Sequence, residues 1–360
     1  MEINKLRDHY TDYLIIQNDH ATATGCSDLL SNIISHDSFT RMLSHNECAS
    51  QYLWNKTKDF VREHEHNHGI LSLDNSILHK PHTKVNEVIT WHYDHGVGKV
   101  VKGINLLSAM VDYGKVSIPV AYDVMVKDQI CIKKDKNNKE VMARKSRYSI
   151  NEMARELITQ AVNNRVKFEY ITGDSWFSSK DNIRFFNNNK HKFVLAISSN
   201  RLVASSRQSL RCGNHVKIKD LELKDGQSRK VYLKGISSCV VVTCKVFKNG
   251  DSTTGKLYLI TNDLMLTSDH IYKVYQKRWK IEEYHRSIKQ NVSVCRSPTK
   301  VKKTQLNHLC MSLLAYTELE KLKVTTCKNH YALKRRMLIA ANQASYKELI
   351  ELQKKVLIVA

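Results

Sequence analysis

The chain has 360 residues, enough for two or three domains and a sizeable core at roughly 100–200 residues per domain. Lys and Arg number 57 against 35 Asp and Glu, a net charge of +22, with hydrophobic residues at 42%. That balance favours a polyanionic partner. It argues against a membrane protein, because the positive charge is spread along the chain and no amphipathic anchor or long apolar run accompanies it.

Nine Cys (26, 48, 131, 212, 239, 244, 295, 310, 327) include no C-x-x-C pair and read as reduced thiols of a cytosolic protein. The N-terminus MEINKLRDHY has no apolar signal region, so no secretion is expected. Pro occurs only at 81, 119 and 298, and no repeat or low-complexity tract is visible.

Residues 1–66 read as helical. SDLLSNIISH (27–36) followed by DSFTRMLSH (37–45) forms a plausible helix-turn-helix, in which Ser38, Thr40 and Arg41 would face DNA; an ordinary pair of packed helices is the alternative. SQYLWNKTKDFVREHE (50–65) predicts a further helix. In HEHNH, His64 and His68 would share a helix face at i, i+4, a metal-ligand spacing, yet no third ligand is identifiable and a solvated helix end is the plainer reading.

From Gly69 short apolar runs alternate with polar turns. GILSLDNS (69–76), KGINLLSAMVDYG (102–114) and VSIPVAYDVMV (116–126) read as strands, the last two forming a hairpin through Tyr113, Gly114 and Lys115. The basic stretch KKDKNNKE (133–140) with ARKSR (143–147) either lines a DNA path or is a solvated loop. A helix over 149–165 opens on a Ser cap, followed by a strand (167–175), a helix (178–189) and a strand (192–199), which is an α/β order. Residues 200–256 look like a small inserted β-subdomain, and LYLITND (257–263) returns to the sheet. A long helix begins near Ser268 or Asp269, and helical stretches follow at 305–322 and 329–355. CMSLLAY (310–316) on the first of these is a candidate dimer contact.

Within the long helix stands YQKRWKIEEYHRSIKQ (275–290). With Tyr275 at 0° on a helical wheel, Arg278 falls at about −60°, Glu282 at about −20°, Lys289 at about −40° and Trp279 at about +40°. Val274, Ile281 and Ile288 make the buried stripe, with the mixed-charge stripe at its edge. Glu283 points about 100° away from Glu282. Taken alone the stripe also fits a solvated amphipathic helix with i, i+4 ion pairs. Its context adds Asp74, closing GILSLD, and Asp174, closing FEYITGD, where an α/β sheet exposes its strand ends. Asp74, Asp174 and Glu282 are three hard oxygen ligands of the kind Mg²⁺ or Mn²⁺ requires.

Asp74 in a D-x-S pattern, Asp174 in GDSWFSS, and Tyr275, Arg278, Glu282 and Lys289 at spacings of 3, 4 and 7 resemble the DDE transposases of bacterial insertion sequences. More narrowly they resemble the insertion-sequence-four-like branch with its Tyr-Arg-Glu-Lys signature. The resemblance covers residues 69 to about 292. It implies an α/β RNase H-like core, a mixed sheet with flanking helices, carrying a β-rich insertion subdomain and a helical N-terminal DNA-binding region. The expected divisions are 1–66 (DNA binding), 67–199 (first part of the core), 200–256 (insertion), 257–295 (core completion with the Glu-bearing helix) and 296–360 (C-terminal helices).

The activity implied is cut-and-paste transposition: binding of terminal inverted repeats, metal-dependent hydrolysis at the element ends, and joining of 3′ ends to target DNA. Asp74, Asp174 and Glu282 would hold two Mg²⁺ ions, with Mn²⁺ as substitute. Tyr275, Arg278 and Lys289 would grip phosphates, and Trp279 would brace the contact. The partners implied are double-stranded DNA and a second copy of the chain, in a bacterial cytoplasm and on the nucleoid when bound. Asn75 departs from the pattern, since many relatives carry a second acid there. A cellular RNase H-like nuclease and a non-catalytic DNA-binding derivative of such an element are the competing readings.

Overall fold

The computed structural model describes residues 2–45, 48–134, 138–248, 250 and 253–359. Two compact units make up the chain, one from residues 1–56 and 285–360, the other from residues 57–284. Among the described residues no helix is long and apolar enough to cross a membrane, and none of the nine Cys is in a disulfide.

The first unit is helical: α1 (Ile3–Ile16), α2 (Ala23–Leu29), α3 (His36–His45) and the start of α4 (Ser50–His64). The Thr22 hydroxyl caps α2 by accepting from Gly25 N at 2.9 Å. This helix runs earlier and shorter than the expected 27–36, because residues 30–35 form turns in which Ser31 and Asn32 take left-handed backbone angles. On α3, Thr40 and Arg41 are exposed and Ser38 half-buried, while Phe39, Met42 and Leu43 face inward.

The second unit begins within α4. That helix ends at His64, so His68 does not share its face; His64 Nδ1 bonds Phe60 O, whereas His68 Nδ1 meets Glu169 Oε2 at 2.8 Å. The metal-pair spacing read in HEHNH therefore dissolves with the helix end.

The sheet follows, built from β1 (Ile70–His79), β2 (Thr90–Asp94), β3 (Lys99–Asp112) and β4 (Ser117–Val124). β3 runs antiparallel to β1, β2 and β4. Gly103 is level with both His79 and Thr90, and a Cβ there would stand 2.4 Å from Leu78 O, so only glycine fits. The basic stretch is strand at its two ends: β5 (Gln129–Lys134) and β6 (Glu140–Lys145) pair antiparallel as a separate two-stranded ribbon, Asn138 and Lys139 between them are irregular, and residues 135–137 lie outside the described residues. β2 was likewise not expected.

α5 (Ile150–Asn163) packs on β3 and β4. Its predicted cap is a full capping box, Ser149 accepting from Glu152 N while the Glu152 carboxylate accepts from Ser149 N at 2.7 Å. β7 (Tyr170–Gly173) is shorter than the expected strand. It is followed by a one-turn 3₁₀ helix at Ser175–Phe177, α6 (Lys180–Asn188) and β8 (Lys192–Ile197). β7 runs parallel to both β1 and β8, so β4-β3-β1-β7-β8 forms the mixed sheet with flanking helices expected of an RNase H-like core.

The β-rich insertion that follows is continuous with the core sheet. β9 (Leu202–Ala204), α7 (Arg207–Arg211), β10 (Val216–Lys217), β11 (Ser228–Leu233), β12 (Cys239–Lys248) and β13 (Thr254–Thr261) extend the same sheet, in the order β10-β9-β11-β12-β13-β8. Val240, Val242, Leu259 and Ile260 are fully buried, which is why those strands read as continuous apolar runs.

The long helix expected from Ser268 is two helices, α8 (Ser268–Gln276) and α9 (Trp279–Asn291). Between them Arg278 N bonds Tyr275 O, Lys280 N bonds Lys277 O and Ile281 N bonds Arg278 O, a tightened i to i−3 turn. A turn of about 120° per residue breaks the wheel's phase, so the angle between Tyr275 and Glu282 is set by packing and not by helical periodicity. Tyr275 packs on the sheet cluster of Ile70, Tyr170, Val194, Ala196 and Leu259, whereas Ile281 is fully buried six residues later.

The remaining helices, α10 (Lys302–Thr326) and α11 (His330–Val359), belong to the first unit. α10 packs against α1, α3 and α11, and residues 310–316 are buried in this chain, so that stretch is not a free dimer surface.

Candidate active site

The site starts from strand register. Ser72 on β1 is level with Thr172 on β7, and their buried hydroxyls stand 2.8 Å apart. Two residues further on the same face come Asp74 and Asp174. β7 ends at Gly173, so Asp174 lies immediately past the strand; β1 continues to His79, so Asp74 does not close its strand as expected, but lies just past the end of its parallel pairing. Each Asp thus comes two residues after the Ser72–Thr172 pair, where the parallel pairing ends, the region at which open α/β sheets bind ligands.

Asp174 is fixed by the turn it begins. Its Oδ1 accepts from Trp176 N at 2.8 Å, capping the 3₁₀ turn, and the Phe177 ring closes over Gly173 so that a Cβ there would meet it at 3.0 Å. Burial, followed by the negative charge of Asp74, raises the Asp174 carboxyl above its usual range, and the Trp176 amide and Arg278 partly oppose the rise. Asp74 Oδ1 accepts from the Asn75 amide at 2.9 Å, and Asn75 itself donates to Asn105 Oδ1 at 3.1 Å. The departure at residue 75 therefore places a bonded neutral amide beside Asp74.

The α8–α9 corner supplies the remaining groups. Tyr275 is raised by burial. The Arg278 guanidinium stands 5.3 Å from the Tyr275 ring centroid and donates through Nη2 to Glu282 Oε1 at 2.5 Å. Burial works against the Arg278 charge, but Tyr275, Glu282 and Asp74 prevail and leave its pKa raised. Its Nε is buried with no hydrogen-bond partner. Glu283 turns away to Lys280 at 2.8 Å. Trp279 is half-exposed and, with Phe247, Leu257, Tyr272, Tyr275 and Arg278, lines a largely aromatic cavity of about 540 Å³. Lys289 lies in the last turn of α9, in the stretch assigned to the other compact unit.

Sequence reasoning missed Tyr284. This buried side chain places its hydroxyl 3.2 Å from Ser108 Oγ, and Ser108 is the residue of β3 level with Asp74. It ties the helix that carries Glu282 to the strand beside the first Asp. The alternation of Ser72 within ILSLD and Thr172 within YITGD was a readable signal for the buried hydroxyl pair; Tyr284 gave none.

The donor chemistry fits a hard divalent cation: Asp74 and Asp174 are oxygen ligands close enough to interact. The cage is incomplete. Among the described residues no group of three or more His, Cys, Asp or Glu is gathered to hold a metal ion, and Glu282 is paired with Arg278.

The mixed sheet with flanking helices is the RNase H-like architecture. The chain belongs to the DDE superfamily endonucleases, whose family model matches residues 9–220, a span that includes Asp74 and Asp174. A second model, the transposase DDE domain, matches residues 141–317, which include Asp174 and Glu282. Both support a DDE transposase. No curated protein matches the chain. Among solved structures, the Drosophila P element transposase strand transfer complex is similar at 8% identity and a TM-score of 0.25, over 53% of this chain and only 37% of that one, too loose a likeness to bear on function.

Proposed function

We propose that this protein is a cut-and-paste DNA transposase of the insertion-sequence-four-like branch, which binds terminal inverted repeats, hydrolyses the element ends and joins the 3′ ends to target DNA. The observation that supports the reading is the mutual electrostatic influence of Asp74, Asp174 and Arg278, the last paired with Glu282. Asp74, Asp174 and Glu282 would hold Mg²⁺, two ions in the family's pattern, with Mn²⁺ as substitute. When bound, the metal supplies an activated water and stabilises the leaving 3′ oxygen.

The chain's own residues do the positioning. Arg278 offers a planar donor fork with a spare buried N–H, suited to a backbone phosphate, and Lys289 adds a point charge. Tyr275 backs the guanidinium, and Trp279 braces the contact from the cavity wall. Residues 1–66 serve as the DNA-binding region, an assignment supported by exposed Thr40 and Arg41 on α3. Two copies act together on paired ends, in a bacterial cytoplasm and on the nucleoid.

The test is a Mg²⁺-dependent cleavage and strand-transfer assay on DNA carrying the inverted repeats that flank the gene. Asp174→Asn should abolish cleavage yet keep end binding, because phosphate contacts dominate affinity. Nicking by this variant at the wild-type rate would overturn the site. Cleavage without joining by the wild type would make the protein a simple nuclease.

A further inference from the structure

Outside the acidic site, β2 and the β5–β6 ribbon enclose a groove of about 470 Å³, within the roughly 300–1,000 Å³ of ligand pockets. β2 alternates cleanly: Thr90 and His92 are buried, whereas Trp91 and Tyr93 are 56% and 54% exposed on the opposite face. Two large, half-exposed aromatics thus stand about 6.7 Å apart along one strand. Lys102, level with Trp91 on β3, holds its ammonium 5.8 Å from the Trp91 ring centroid. The Lys127 ammonium donates to Trp91 O at 2.7 Å, and Arg144 reaches Lys127 O, so the far wall is tied to the near one.

The ribbon's register decides what that far wall presents. Ile130 is level with Arg144, and Ile132 with Met142, so one ribbon face combines apolar side chains with a single guanidinium. Ile130 and Met142 line the groove opposite Trp91 although they are 61% and 76% exposed. Residues 127–147 hold eight Lys and Arg against three Asp and Glu, a net +5 (8 − 3). A wall of cations alone would suit duplex backbone. A single indole beside apolar side chains, with Lys127 and Arg144 also in the lining, suits a base taken out of the stack with its phosphate outside.

We propose that this groove is a single-stranded DNA site, in which an unpaired base stacks on Trp91 against Ile130 and Met142 while Lys102 and Arg144 take the flanking phosphates. The site stands on the groove's own geometry and is separate from the carboxylates of β1 and β7.

The full chain is titrated into a fluorescently labelled short oligodeoxythymidylate and, separately, a blunt duplex, with binding read by anisotropy. Trp91→Ala should weaken the oligonucleotide about tenfold, the lower part of the range for one lost base stack, and leave the blunt duplex unchanged; Trp91→Phe should restore binding. Met142→Glu alters a side chain that folding does not bury, so it decides the matter even if Trp91→Ala misfolds. Its carboxylate should repel the strand and lower affinity. Unchanged oligonucleotide binding in folded variants overturns the proposal. Equal weakening of both probes makes the groove a duplex surface, and a wild-type dimer that Met142→Glu dissociates makes it a contact between copies; either result overturns it as well. Asp174→Asn should bind the oligonucleotide like wild type. A chain that binds through Trp91 but never cleaves DNA would sink the transposase reading and leave this site standing.

Discussion

Arg278 Nη2 donates to Glu282 Oε1 at 2.5 Å across the start of α9, with the two side chains only 15% and 30% exposed. In the DNA-free protein a carboxylate held this way must leave the guanidinium before it can take a cation. Arg278→Ala should therefore tighten Mn²⁺ binding by the DNA-free protein about tenfold, the scale of one lost charge-assisted bond, as read by calorimetry. Weaker or unchanged binding would mean that the guanidinium does not compete with the metal. Relatives in the insertion-sequence-four-like branch commonly pass through a DNA hairpin at the element end; if this protein uses that route, the same substitution and Lys289→Ala should permit the first 3′ nick but impair hairpin formation or resolution, leaving nicked ends or persistent hairpins on gels.

Asp174 carries a cost in stability. Burial and the Asp74 charge raise its folded pKa above the unfolded value, so the folded state binds its proton more tightly. Stability then falls as pH rises from the usual carboxylate range through the raised value, and at neutral pH the penalty is fully present. In metal-free protein, Asp174→Asn should melt at a higher temperature than wild type at pH 7, with the gap narrowing below about pH 4. A variant that melts lower at pH 7 would contradict the assigned direction.

Tyr284 is expected to act as a positioning residue. Tyr284→Phe removes the hydroxyl that meets Ser108 and should cost about 1 kcal/mol in unfolding free energy. Because Glu282 sits two residues away, cleavage should slow while oligonucleotide and duplex affinities stay level. Comparison of denaturant midpoints with single-turnover rates checks both parts; loss of DNA affinity instead would assign Tyr284 to binding.

With a net charge of +22, duplex binding should be steeply salt-dependent. If roughly six to ten phosphates are neutralised, affinity falls by about 10³–10⁵ between 50 and 200 mM salt. A flat response would make the charge a general surface property.

The local chemistry of the site was legible in the sequence. Asp174 begins a turn because an Asp after a strand can cap the amides that follow, and Ser149 with Glu152 announces a capping box; both are short-range hydrogen bonds that depend only on neighbours. Glu282 was separated from Glu283 because i, i+4 geometry turns one toward Arg278 and the other toward Lys280. Three features were decided only by the tertiary structure. The helix of residues 268–290 breaks at Lys277 and Arg278, where i to i−3 bonds replace the helical ladder, a local tightening that 3.6-residue periodicity does not announce. The β-rich stretch after residue 200 joins the main sheet because its strand edges pair with β8 and with one another, and backbone pairing carries no sequence label. Residues 129–134 and 140–145 pair as a ribbon where charge alone predicted a path or a loop, since pairing Ile130 with Arg144 and Ile132 with Met142 gathers apolar side chains of a polar segment on one face that only its register reveals.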